Sequence, residues 1–264
     1  MEGAAGSVGR GGTGSLPPVP AFRIAGLDTA DLSPWFNPFL PHFVRETLRC
    51  GGEVWCAHDA AGLTGLLLHD PAANITSVFT RDRSLAEERV RNRGGRPAYS
   101  DFRFGGPSET YGIYTGNLER PLPAHPFHHT VRPIRGEDLA AVAELMREVE
   151  GNVDDRWFRG VQGGAEAGFL IEVGPRLAGV GWVAVVADHA RMHSLAVRPM
   201  YRHLGLGTDL LFARLLWARA AGARSVLSEI ADQNLPSRAV AEAGGMRRVG
   251  EIFFYPPSEP RSGP

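Results

Sequence analysis

Leu195-Ala196-Val197-Arg198-Pro199-Met200-Tyr201-Arg202-His203-Leu204-Gly205-Leu206-Gly207-Thr208 is the stretch on which the reading of this chain turns. Residues 191–197 have the pattern of a strand, Pro199 turns the chain, and a run with two glycines opens an apolar helix over residues 207–221 that Gly222 stops. Gly205 and Gly207 carry no Cβ, so backbone N–H groups from Arg202 to Thr208 can close around an anion. The helix N-terminus behind them adds unpaired donors and the positive end of the helix dipole. Loop and helix together make a pyrophosphate site that needs no lysine. The strand that feeds them places the reacting end of the ligand beside residues 191–197.

Lysine is absent from the whole chain: of 264 residues, 28 are basic and all of these are arginine. That excludes a P-loop lysine, a pyridoxal-phosphate Schiff base and a kinase ATP lysine. A net charge of -1 supplies no basic field for nucleic acid or anionic membranes. Hydrophobic residues at 43% are enough for a substantial core. Cys50 and Cys56 are too few for a disulfide scaffold. No apolar run approaches the roughly 20 residues of a membrane span, and the N-terminal stretch has no apolar signal core. The expectation is a cytoplasmic monomer or homodimer, with no metal and no nucleic-acid or membrane partner.

Three seams divide the chain. Residues 1–20 are Gly, Ser and Pro and read as a mobile leader. Gly9, Gly11 and Gly14 there match a dinucleotide-loop spacing, but no strand enters and no helix leaves, so the match is set aside. Residues 120–129 hold three prolines and read as a linker in which His125, His128 and His129 are solvated rather than metal-ligating. Residues 257–264 form a tail.

Between the seams, residues 21–119 and 130–256 read as two domains. In the second, strands are expected at 130–134, 168–173, 177–186, 191–197 and 225–230, with helices at 136–150 and 234–243 and a strand pair over 246–255. In the first, a strand at 22–24 and a helix at 34–49 precede strands at 53–57, 63–69 and 74–80. LTGLLL at 63–68 lies over LAGVGW at 177–182, and SVFTRD at 77–82 over SLAVRP at 194–199, at nearly the same offset. This reads as an internal pseudo-duplication.

The R-x-x-G-x-G loop between a strand ending Leu195-Ala196-Val197 and a helix resembles the acyl-CoA loop of the GCN5-related N-acetyltransferases (GNAT). The order of elements over residues 130–255 is similar to that family. Asn234 stands where the family often has an Asn beside the pantetheine arm, and residues 243–246 where its following helix ends. The resemblance implies an α/β (α+β) fold of two GNAT-like lobes, each a mixed, mostly antiparallel sheet flanked by helices. It implies acetyl-CoA as cosubstrate and direct attack by a primary amine. Arg202, His203, Leu204, Gly205, Leu206, Gly207 and Thr208 would hold the pyrophosphate. Leu195, Ala196, Val197, Asn234 and Ser237 would follow the pantetheine arm, and an N–H of the strand would meet the acetyl oxygen.

The chain departs from the family where a helical tyrosine often protonates the leaving thiolate: that place is Ala241. Tyr201 and Tyr255 read as packing residues. The base is either His193, whose imidazole titrates near neutrality, or Glu229 on the facing strand if burial raises it. In the first half the corresponding run is Arg81-Asp82-Arg83-Ser84-Leu85-Ala86-Glu87-Glu88, with no glycine and three carboxylates that would repel a pyrophosphate. That half reads as a degenerate copy that packs against or shapes the acceptor cleft, and its arginines between residues 81 and 103 as solvated surface. Asp154-Asp155-Arg156-Trp157 points to a cationic amine. A small amine, a peptide N-terminus and a protein lysine all remain open as acceptors. The expected activity is N-acetyl transfer from a single site in the second half; the alternative is a non-catalytic acyl-CoA-binding regulatory module.

Overall fold

The computed structural model describes residues 40–49, 51–59, 62–71, 74–151, 166–186 and 188–257. The leader, the strand expected at 22–24, Asp154 to Trp157 and most of the tail lie outside them. The first half runs α1 (Leu40–Arg49), β1 (Glu53–Asp59), β2 (Gly62–Asp70), β3 (Ile75–Thr80), α2 (Arg83–Arg91), β4 (Ala98–Ser100) and β5 (Glu109–Asn117). The second runs β6 (Val131–Pro133), α3 (Leu139–Glu150), β7 (Glu166–Val173), β8 (Arg176–Val186), β9 (His189–Val197), α4 (Leu206–Ala220), β10 (Ser225–Ala231), α5 (Leu235–Ala243) and β11 (Arg247–Tyr255).

Core packing follows the sequence pattern. In α3 the buried residues Val142, Leu145 and Met146 recur at helical spacing, and Gly151 at φ 71° ends the helix in the left-handed region. β8 is buried from Ala178 to Ala184 because helices cover both of its faces. Val180 and Trp182 pack with Leu145 and Met146 of α3. Ala178 and Val183 pack with Leu210 and Leu215 of α4.

All eleven described strands form one sheet, in the order β1-β2-β3-β4-β11-β5-β10-β9-β8-β7-β6. Its centre is the antiparallel pair β11 and β5. Outward from that centre the pairing repeats on both sides. β11 meets β4 and β5 meets β10 antiparallel; β4 meets β3 and β10 meets β9 parallel; β3–β2–β1 and β9–β8–β7 continue antiparallel. β5 pairs only with strands of the second half, and β11 only with strands of the first. Each half therefore lends its last strand to the other.

Two sequence expectations need correction here. The strand pair expected over residues 246–255 is one strand, β11, with a register shift between Arg248 and Gly250. Residues 120–129 are not a solvated tether either. His125 stacks on Phe212 of α4, with ring centroids 4.2 Å apart and planes at 11°. Nε2 of His125 lies 2.6 Å from Oδ1 of Asp209, and Nδ1 of His129 lies 2.8 Å from Oδ2. A fully buried carboxylate at the start of α4 needs donors, and the proline-rich segment supplies them.

Candidate active site

β9 and β10 are paired only at His189–Arg191 with Ser225–Leu227. Past that point the parallel strands diverge, and the Ser228 hydroxyl donates to the Met192 carbonyl (3.1 Å) at the apex of the gap. A cavity of about 630 Å³ fills the notch. His193, Ser194 and Leu195 form one lip, Glu229 and Ile230 the other, and Asn234, Ser237 and Ala241 of α5 the side.

A bulge shapes the first lip. Trp182 pairs with His193 and Val180 with Ala196, so Ser194 and Leu195 together face the single residue Gly181. Ser194 sits at φ 52°, uncommon for a residue with a Cβ. Arg214 of α4 supports the bulge from below: Nη1 donates to the carbonyls of Trp182 (3.2 Å) and His193 (3.4 Å). A Cβ at Gly181 would come within 3.1 Å of that guanidinium, so glycine there makes the room. Burial pushes Arg214 down to about 9. Sequence reasoning passed over Arg214, although it stands on the core stripe Leu210, Arg214, Ala218 of an apolar helix.

The loop expected to hold a pyrophosphate lies at the surface where α4 begins. Gly205 is the N-cap at φ 85°, and no side chain caps the helix. His203 also has positive φ (64°), so the backbone folds into a concave nest. Glycine at 205 also answers to the backbone: a Cβ there would meet no protein atom within 4 Å, but its φ is positive. Gly207 joins loop to cavity, since its Cβ would stand 3.4 Å from Val240 and 3.9 Å from Leu195. Arg202, His203, Leu204 and Leu206 do not line the cavity, and neither does Thr208, whose N–H bonds Gly205 (3.0 Å). Ala196 is buried, its side chain packs with Trp182, and its backbone pairs with Val180 of β8. Val197 packs against the α4 cluster. Asn234 caps α5, its Oδ1 accepting from Ser237 N (3.2 Å).

The two base candidates now separate. Both oxygens of Glu229 lie 3.1 Å from Nε of Arg191, so its charge is already matched. His193 has Nε2 at 3.4 Å from Oε2 of Glu166 and Nδ1 at 3.0 Å from the Ser194 hydroxyl. Glu166, only 5% exposed, is the neighbour of His193 that the sequence did not reveal: it precedes the expected strand at 168, and no local pattern ties it to His193. Tyr201 packs against the α4 cluster, and Tyr255 is buried in the first half, its hydroxyl donating to the Phe102 carbonyl. Neither lines the cavity.

The corresponding place in the first half is closed. Asp82 caps α2, its Oδ1 accepting from Ser84 N (2.8 Å) and Leu85 N (3.1 Å), so a carboxylate of the chain itself takes the donors. Beyond β4, Phe104 and Tyr255 stack with centroids 5.7 Å apart.

Residues 137–246 match the sequence model of the acetyltransferase (GNAT) family. This part of the chain is similar to the GNAT family. The GNAT match spans α3 to the start of β11 and contains the loop, the notch and His193. Solved structures agree in fold. A GCN5-related N-acetyltransferase from Kribbella flavida is 11% identical with a TM-score of 0.56, covering 82% of this chain and 95% of its own. One from Sphaerobacter thermophilus is 16% identical with a TM-score of 0.56, over 76% of this chain and 79% of its own. A tandem GNAT protein from the clavulanic acid biosynthesis pathway is 17% identical with a TM-score of 0.50, over 79% and 83%. No curated protein matches the sequence. Among the described residues no helix is long and apolar enough to cross a membrane, and no His, Cys, Asp or Glu group is placed to hold a metal ion.

Proposed function

We propose that the protein is an acetyl-CoA-dependent N-acetyltransferase that works by direct attack of a primary amine at one site, in the second half. The observation that carries this reading is the continuity of three features: an uncapped, glycine-opened helix N-terminus, a splayed β9–β10 notch, and an imidazole on its lip. Acetyl-CoA fits them by its chemistry, pyrophosphate at the nest and an acyl thioester in the notch. The chain's own groups then do the rest. Backbone from Leu195 to Val197 orients the arm, and an N–H there meets charge developing on the acyl oxygen. With Glu166 beside Nε2 of His193, the imidazole takes the amine proton at Nδ1, through the Ser194 hydroxyl beside it. A C–N bond forms as a C–S bond breaks. The acceptor is a small or peptide amine. The capped α2 and the packed Phe104–Tyr255 pair support a first half without a working site.

Ala241, which lines the notch where the family often has tyrosine, favours a second reading, an acyl-CoA-binding module without turnover. Calorimetry with acetyl-CoA, followed by thiol release with a panel of amines, tests both. Binding with amine-dependent thiol release supports the enzyme, and binding without release supports the module.

A further inference from the structure

Strands of the first half wall the acceptor end of the notch. Tyr99 of β4 and Tyr111 of β5 line it, with ring centroids 6.1 Å apart and planes at 81°, and Phe254 braces the corner 5.0 Å from Tyr99. The Tyr111 hydroxyl donates to Glu109 (3.2 Å), whereas the Tyr99 hydroxyl takes part in no described hydrogen bond. Glu150, at the end of α3, lines the same end. Glu229 is matched by Arg191 and Glu166 lies against His193, but neither Glu109 nor Glu150 is in an ion pair among the described residues. Burial, then the charges of Glu109 and Glu150, push the Tyr111 phenol up to about 12.

Two aromatic faces at a right angle with two uncompensated carboxylates match a cation: ring quadrupole and carboxylate charge act in the same direction. A monoamine held at His193 would leave this corner without a counter-charge, and an anionic acceptor would be repelled. Resting on the acetyltransferase reading above, we infer that this corner holds a second cationic centre of the acceptor. The preferred substrate is then an aliphatic diamine, one ammonium at Tyr99, Tyr111, Glu109 and Glu150, the other amine presented neutral beside His193. On this assignment the first half, without a cofactor site of its own, supplies acceptor specificity through the strands it contributes.

Hexamethylenediamine and hexylamine differ only in the second amine and serve as probes with acetyl-CoA and the full chain. The diamine is expected to exceed the monoamine by about tenfold or more in kcat/KM. In the Glu109→Gln/Glu150→Gln variant, two exposed substitutions, that ratio should fall towards one through a higher KM for the diamine. Calorimetry with acetyl-CoA accompanies both proteins. Equal efficiency for the two amines, or a ratio that survives the double substitution, overturns the inference. If acetyl-CoA still binds, the reading of the site stands without it; if acetyl-CoA does not bind the unsubstituted chain, both fall.

Discussion

His129 gives both its backbone N–H (3.0 Å) and its Nδ1–H (2.8 Å) to one oxygen of Asp209, in the first turn of α4. His125 serves the other oxygen at 2.6 Å. The segment that joins the two halves is thereby fastened to the helix that Gly205 opens. A carboxylate at this end of a helix also opposes the positive dipole end favourably.

Asp209→Ala should cost about 3 kcal/mol, because it removes the buried carboxylate that the part-buried donors of residues 125–129 converge on. Burial on its own would raise the Asp209 carboxyl, but the hydrogen bonds from His129, His125 and the backbone of residues 128 and 129 outweigh it and hold it below its ordinary value. A lowered folded value stabilises the protein above the unfolded carboxyl range of about 3.9, and that contribution is lost as pH falls through the lower, folded value. Urea unfolding of the original chain and Asp209→Asn should therefore differ at pH 7 and converge in strong acid. A difference that does not change with pH would remove the ionised carboxylate from the account.

His193→Ala should lower kcat by about 10²–10⁴ with little change in acetyl-CoA affinity. Glu166→Gln tests the orienting role separately. Loss of the carboxylate beside Nε2 should lower kcat with little change in acetyl-CoA affinity. A kcat unchanged by Glu166→Gln would remove Glu166 from the orienting role.

Calorimetry on the intact chain should give one acetyl-CoA per chain. Gly205→Glu forces a Cβ into the left-handed region, at about 1–2 kcal/mol, and aims a carboxylate at phosphate. Binding should fall by well over tenfold, more than about 1.4 kcal/mol. Gly205→Asn, whose side chain tolerates this backbone, should retain most of the affinity. Two equivalents, or binding indifferent to Gly205→Glu, would relocate the site.

Asp82→Ala removes the cap of α2 and should lower stability by about 1 kcal/mol. It should leave acetyl-CoA stoichiometry unchanged, because Phe104 and Tyr255 still fill the space beyond β4. A second equivalent in this variant would mean that the cap alone kept the first half from binding.

Local chemistry was legible in the residues. The nest around Gly205 depends on backbone sterics within a few positions, and α3 and β8 depend on apolar periodicity, so order along the chain was enough to read them. β5 was not foreseen, because Gly112 and Gly116 interrupt its strand pattern; a Cβ at Gly116 would press to 3.0 Å from Val226, so that glycine answers to a distant strand. Arg214 was passed over, because the carbonyls that occupy it come from the bulge at Ser194 and from β8, far from it along the chain.

The sequence by itself determined the glycine-opened start of α4 and the strand that leads into it, since both follow from short-range geometry of glycine, helix and strand. Tertiary structure alone decided which partners His193 and Glu229 meet. Their partners, Glu166 and Arg191, stand 27 and 38 residues away along the chain, and Coulomb interactions depend on distance through space. It also decided that the first half shares the site. Tyr99 and Tyr111 reach the notch through the exchange of β5 and β11 across the centre of the sheet, and the hydrogen bonds that fix that exchange have no signature in any one segment.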